Sequence, residues 1–192
     1  FDEFHERSLQ TDLALTLCLD IRSGLREDLK LLVMSATLDV GPVAALLGHA
    51  PVISAERRVF PVEERYGEDD RTSLLESRMT AAVRRALGEK AGDILAFLPG
   101  AGEIRRTAER LAGTLGDGKN DATIHPLYGD LPFAQQEQAI LPARDGRRKI
   151  VLATNIAETS LTIEGVRVVI DGGFTRALRY DPATGMNRLV TV

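Results

Sequence analysis

The sequence predicts an α/β fold with mainly parallel sheets, in two domains. Short β-rich runs alternate with amphipathic helical stretches along the whole chain, the pattern of strands joined by crossover helices. Residues 29–34 form a compact apolar run leading into Ser35-Ala36-Thr37, the profile of a buried strand followed by a loop. Between 54 and 61 the alternation lapses into the charged Glu56-Arg57-Arg58 and closes at Pro61, then starts again, so a domain boundary falls there.

In the first part, 1–54, Leu9, Leu13, Leu17 and Ile21 recur at helical spacing and Gly24 offers a stop. Pro42 marks the start of a short helix over 43–47, and Gly48 its end. Val52 and Ile53 read as another short strand. The second part, 55–192, opens with a strand-like 62–66 and a polar loop over 67–72. A helix over 74–87 precedes a strand over 93–98, which ends in Pro99-Gly100. A helix over 103–115, a turn at 116–120, a strand over 122–127 and a helix over 133–140 follow. Next come a strand over 148–153, a polar loop over 154–162 and a strand over 166–170. Residues 174–180 and 186–192 flank Asp181-Pro182-Ala183-Thr184-Gly185, a turn-rich spacer that predicts a protruding antiparallel hairpin.

At 192 residues with 44% hydrophobic and 27% charged side chains, the composition is that of an ordinary soluble protein able to build its own core. The net charge of −4 argues against a protein that holds nucleic acid mainly by a basic surface. Any such binding must use a local cleft, with backbone amides and hydroxyls beside a few Arg and Lys. The single Cys18 sits in a leucine-rich periodic stretch and reads as a buried structural thiol. With no cysteine framework, no signal-peptide pattern and no apolar run near the ~18 residues of a membrane span, a reducing cytoplasm is the expected setting.

Several stretches could carry chemistry. Asp2-Glu3-Phe4-His5 sets two adjacent carboxylates where an open parallel sheet places its ligand crevice. In a nucleotide site one carboxylate can hold Mg²⁺ while the other orients the attacking water. The alternative is an acidic loop at a strand end. Ser35-Ala36-Thr37 would bring hydroxyls from a neighbouring strand end into the same crevice, or simply turn a strand into a helix. Residues 154–163 are the richest stretch, with four hydroxyls, an amide and a carboxylate directly after an apolar strand. Such a loop can donate to phosphate oxygens without positive charge, and its length exceeds what a helix cap needs. Phe97-Leu98-Pro99-Gly100 could let a backbone approach a ligand closely, or only make a turn. His125-Pro126-Leu127-Tyr128-Gly129 offers a His and a Tyr to a nucleic-acid strand, or is an ordinary strand end. Arg144, Arg147, Arg148 and Lys149 read as a solvated basic loop, with phosphate contact as the lesser alternative.

Taken in order, these elements resemble the motif series of the DEAH/RHA-type superfamily 2 helicases. Asp2-Glu3-Phe4-His5 is similar to motif II, Ser35-Ala36-Thr37 to motif III, Phe97-Leu98-Pro99-Gly100 to motif IV, and 154–163 to motif V. The stretch after Gly172-Gly173-Phe174 resembles the strand-separating hairpin of that group. Phe4 departs from the usual DEAH alanine, and with FDEFHERSLQTDLAL, LKLLVMSATLD and KIVLATNIAETSLTIEGVRVVID it narrows the resemblance to the bacterial HrpB-type helicases.

The resemblance implies two RecA-like domains: the C-terminal part of the first in 1–54, and a nearly complete second in 55–192. It implies ATP and Mg²⁺ as nucleotide and metal, and single-stranded RNA in the interdomain cleft as partner, with DNA left open. Asp2 would hold the Mg²⁺ and Glu3 would polarise the hydrolytic water. His5, Ser35 and Thr37 would link nucleotide state to strand movement. Thr154 and Gly100 would touch the sugar-phosphate backbone, with Asn155 beside them. Ser160 would sense the γ-phosphate region, and Glu164 stands where relatives often carry an Asp near the ribose. The 192 residues hold no Gly-rich phosphate loop with a Lys, and the arginine fingers of a later motif are expected beyond Val192. Losing an arginine finger alone costs ~10³–10⁵ in rate, so the isolated chain is expected to be inactive. Phe1 in place of a starting Met is read as a cut through a strand. The competing expectation is a non-catalytic, helicase-like module that binds nucleic acid or protein.

Overall fold

The computed structural model describes residues 1–36, 40–55, 60–67, 72–115, 122–143, 146–157 and 162–192. They form two compact units, Phe1–Glu64 and Arg65–Val192.

In the first unit, α1 (Leu9–Gly24) begins at Ser8, whose hydroxyl accepts the Thr11 N–H at 3.0 Å. This is the bond a serine provides just ahead of an apolar-periodic stretch. Leu15 is buried, but Leu9, Leu13 and Leu17 on the predicted stripe are 80%, 55% and 52% exposed. Cys18 is half-buried with a free thiol. The short helix α2 (Val40–Leu46) begins two residues before Pro42, and Gly48 follows it at φ +80°.

Residues 29–34 do not make the buried strand their composition predicts. They alternate between half-buried and exposed, and their backbone meets the start of the chain. The Phe1 amino group donates to the Leu32 carbonyl at 2.8 Å, the Met34 N–H to Phe1 at 2.8 Å, and the Phe4 N–H to Met34 at 3.0 Å. This is the slanted exchange of parallel neighbours, cut to a single step because residues 1–4 leave the pairing almost at once. The strands expected at 52–53 and 62–66 do not form either. These residues are exposed and lie outside any strand.

The second unit is a three-layer sandwich. Its elements are α3 (Leu75–Glu89), β1 (Asp93–Phe97), α4 (Ala101–Thr114), β2 (Ala122–Leu127), α5 (Phe133–Ile140), β3 (Arg148–Ala153) and β4 (Val166–Asp171). The four strands are parallel, in the order β2-β3-β1-β4. Alternation along each strand serves both faces. Ile94, Ala96, Ile150 and Leu152 pack with Met79, Val83, Ile104 and Leu111 of α3 and α4, while Leu95, Leu127, Val151 and Ala153 pack with Ala139 of α5. Covered on both sides, β1 and β3 read as unbroken apolar runs.

Two of the basic residues expected in a solvated loop, Arg148 and Lys149, enter this sandwich instead, while Arg147 is exposed as expected. Arg148 donates from Nε to the Gly92 carbonyl at 2.7 Å and from Nη1 to the Leu87 carbonyl at 2.9 Å, closing the end of α3. Lys149 lies on the Val151 face and is 1% exposed. Its ammonium donates to the Ala139 and Leu141 carbonyls at 3.1 and 2.6 Å, where α5 leaves its last carbonyls without helical partners. Burial pushes the Lys149 ammonium below its ordinary range, with Asp93 opposing. Arg144 lies outside the described residues.

On the β2 edge, Pro126 takes a position that faces away from β3. Leu127 accepts the Thr154 N–H at 3.1 Å, so residues 125 and 127 turn their amides inward and Pro126 turns its ring nitrogen outward. After β4 come β5 (Arg176–Asp181) and β6 (Met186–Thr191), the expected antiparallel hairpin, a sheet of its own. Its turn is set by Asp181, whose carboxylate accepts the Ala183 N–H at 3.0 Å, and by Gly185 at φ +67°.

Candidate functional site

The predicted site residues fall into two groups, one in each unit. In the first unit, Phe4 is 3% exposed and anchors a tight loop. The Phe1 ring meets it edge-on at 6.4 Å, and the Arg7 guanidinium stacks over it at 5.4 Å from the ring centre. Arg7 is held in turn by a two-pronged bond to Asp12, at 3.0 and 2.8 Å. Around this anchor the backbone is strained: Glu3 and Arg7 both lie in the left-handed region, at φ 47° and 46°. Such residues cost on the order of 1 kcal/mol or more each and collect where geometry serves a ligand.

Within this loop His5 faces both Glu3 and Ala36. His5 Nδ1 lies 3.4 Å from the Ala36 N–H and 3.4 Å from Glu3 Oε2. A ring nitrogen that accepts from Ala36 carries no proton, so this bond belongs to neutral imidazole. The carboxylate loop and the Ser35 loop are thus joined through one imidazole. Ser35 is exposed beside it, and Thr37 lies outside the described residues.

Asp2 is exposed, and its Oδ1 accepts the Glu3 N–H at 2.8 Å. Mg²⁺ commonly takes one or two carboxylates and fills its octahedron with water and phosphate oxygens. Asp2 therefore suits that ion in company with a nucleotide. No cluster of three or more His, Cys, Asp or Glu placed to hold a metal without one occurs among the described residues.

In the second unit, Gly100, Thr154 and Asn155 share the carboxyl edge of the parallel sheet. The Leu98 N–H reaches Ala153 at 2.8 Å, carrying the β1–β3 ladder one residue beyond the strands. Thr154 is half-buried there, and exposed Asn155 opens a single tight turn, Asn155–Ala157. Ser160 lies outside the described residues. Gly172 closes the edge; a Cβ on it would stand 2.8 Å from the Phe97 carbonyl, so only glycine fits. Glu164 is exposed at the opposite, amino edge, next to the Gly165 carbonyl that accepts the Asp93 N–H at 2.9 Å. It does not share the crevice of Gly100 and Thr154.

Gly100 has an extended backbone that any residue adopts, and its close neighbours are the ends of flexible side chains. A Cβ there would lie 2.8 Å from Cζ and 2.9 Å from Nε of Arg176, at the root of the hairpin. Sequence reasoning did not single out Arg176 or its partner Glu103. The available signal was Glu103 in the first turn after a Gly-bearing strand end, with an arginine opening the hairpin.

Residues 75–188 match the family described as the helicase conserved C-terminal domain. The chain belongs to that helicase family. This helicase chain is 53% identical over 190 residues to the ATP-dependent RNA helicase HrpB of Escherichia coli (strain K12), covering 99% of the chain and 23% of that relative. It superposes with a TM-score of 0.87 at 52% identity on the crystal structure of the Escherichia coli DEAH/RHA helicase HrpB, covering 99% of this chain and 24% of that one. A crystal structure of the E. coli DExH-box NTPase HrpB gives 0.83 at 52% identity, covering 99% and 23%. The resemblance to DEAH/RHA-type helicases of the HrpB kind is borne out, as is the α/β fold with its parallel sheet and separate hairpin. The helicase chain spans about a quarter of the length of the relatives it matches. No described helix is long and apolar enough to cross a membrane.

Proposed function

We propose that this chain is part of an ATP-driven RNA helicase motor, with 1–54 in its first RecA-like domain and 55–192 in its second. The observation that carries the reading is the link through His5 between the carboxylate loop and residues 35–36. In this reading Asp2 holds the Mg²⁺ of ATP, which neutralises phosphate charge, and Glu3 orients the attacking water. His5 passes the state of that loop to Ser35 and Thr37. Gly100, Thr154 and Asn155, gathered on one sheet edge, receive the backbone of single-stranded RNA, or of DNA. Ser160 senses the γ-phosphate region, and Glu164, on the other edge, takes the ribose contact. A cytoplasmic location goes with this role.

The test joins the chain to a segment bearing a phosphate loop and measures RNA-stimulated ATP hydrolysis. Glu3→Gln is expected to lower kcat at least ~10²-fold, as loss of a group acting at the reacting water does, while RNA binding persists. His5→Ala should leave basal turnover higher than Glu3→Gln does, but lose its stimulation by RNA. The 192 residues alone are expected to hydrolyse no ATP. RNA binding by the joined protein with no turnover in any form would favour a non-catalytic binding module instead.

A further inference from the structure

Four charges run from α3 through α4 to the root of the hairpin. Glu76, 7% exposed, takes the Arg106 Nε on its Oε1 at 2.5 Å. Arg106 Nη2 reaches Glu103 Oε1 at 3.0 Å, and the second oxygen of Glu103 faces Arg176 Nη2 at 3.4 Å. The links loosen along this row. Glu76 and Arg106 make a close bond, whereas Glu103 and Arg176 stand at the edge of contact with the Arg176 side chain 40% exposed. An exposed pair of that kind contributes little to stability. The Arg176 guanidinium lies beside Gly100, where a Cβ would stand 2.8 Å from its Cζ.

We propose that Arg176 is a nucleic-acid phosphate contact held in reserve by Glu103, and that it changes partner when a strand arrives at Gly100. This rests on the reading of Gly100 as a backbone contact. A planar guanidinium binds a phosphodiester through two parallel N–H bonds, a stronger and more directional contact than a single 3.4 Å approach to a carboxylate. Glu103 does not become an orphan on the exchange, because its Oε1 keeps Arg106. Arg176 opens β5 and pairs with Thr191 of β6, so the exchange ties the hairpin root to the bound strand. When no strand is present, Glu103 keeps the cation from attracting unrelated anions.

The experiment measures anisotropy of a fluorescein-labelled oligouridylate on the joined protein over a salt series, with the wild type, Arg176→Ala, Arg176→Lys and Glu103→Gln. Arg176→Ala should weaken binding several-fold at every sequence and reduce the slope of log K against log salt by about 1, the signature of one lost phosphate contact. Arg176→Lys should restore the slope but only part of the affinity. Glu103→Gln should bind tighter than the wild type, because Arg176 starts unpaired; a folding defect would not produce that direction. The same changes on single-stranded DNA are expected, since a phosphate contact ignores the sugar. Unchanged affinity and slope in Arg176→Ala, or weakening in Glu103→Gln equal to that in Arg176→Ala, overturns the exchange. A wild-type protein that binds no RNA overturns both the exchange and the reading of Gly100 beneath it.

Discussion

In Arg65–Val192, α3 and α4 carry Met79, Val83, Ile104 and Leu111 at 0–3% exposure; in Phe1–Glu64, α1 carries Leu9, Leu13 and Leu17 at 52–80%. Leucines recur at helical spacing in α1 as well, but its apolar stripe is less sharply set off from its polar side than those of α3 and α4. The strands present differ too: the second unit has four parallel strands whose alternate residues receive both helices, whereas no strand occurs among the described residues of the first. Each bare leucine forgoes on the order of 1.5–3 kcal/mol that burial would contribute. The second unit thus has its own core, and the first has an anchored loop on a helix whose apolar side is open.

The sharpest way to break this comparison is to express the two units separately. Residues 65–192 are expected to unfold in one cooperative step in urea, followed by circular dichroism, and 1–64 to give none. A cooperative transition from 1–64 would mean that α1 finds cover this account lacks. Within the chain, Leu152→Ala should cost about 3–4 kcal/mol, the range for a fully enclosed leucine. Leu17→Ala should cost below about 0.5 kcal/mol by the same melt. Lys149→Met comes next, at about 2 kcal/mol, because it leaves the Ala139 and Leu141 carbonyls without donors. Hydrogen exchange should locate that loss at the end of α5.

Glu76→Gln should cost about 1 kcal/mol at neutral pH, kept low by the half-exposed Arg106. The hydrogen bond from Arg106 lowers the Glu76 pKa on folding. The unfolded chain therefore takes up its proton first as acid is added. The contribution is complete above the ordinary glutamate range and is lost as pH falls through the lower folded value. Urea midpoints of wild type and variant should converge on the acid side; a gap that stays constant with pH would remove the ion pair as its cause.

Local pattern made the second unit legible almost element by element. Ala122–Leu127, Phe133–Ile140 and Arg148–Ala153 form where their alternation and flanking turns place them. The candidate edge was legible for the same reason, since Gly100, Thr154 and Asn155 follow strands that are real. The strand at 29–34 was over-read because an apolar run says what a segment prefers and not whether a partner lies alongside. Arg148 and Lys149 were misread by residue type. Their parity held the better signal, because Lys149 shares its face with Val151 and Ala153 and must reach a carbonyl or stay out of the strand. Arg176 and Glu103 come together across 73 positions, beyond any local pattern.

Pro126 bears on how this molecule behaves in a crowd. An open margin of a parallel sheet is a template on which a foreign chain can dock amide by amide, and from such docking fibres grow. At the outward position where a newcomer would need a donor, Pro126 has none. The ring interrupts the row one residue before the end of β2, so a strand laid there loses a bond near that end. One residue thus weakens that margin as a template, and it does so without adding charge.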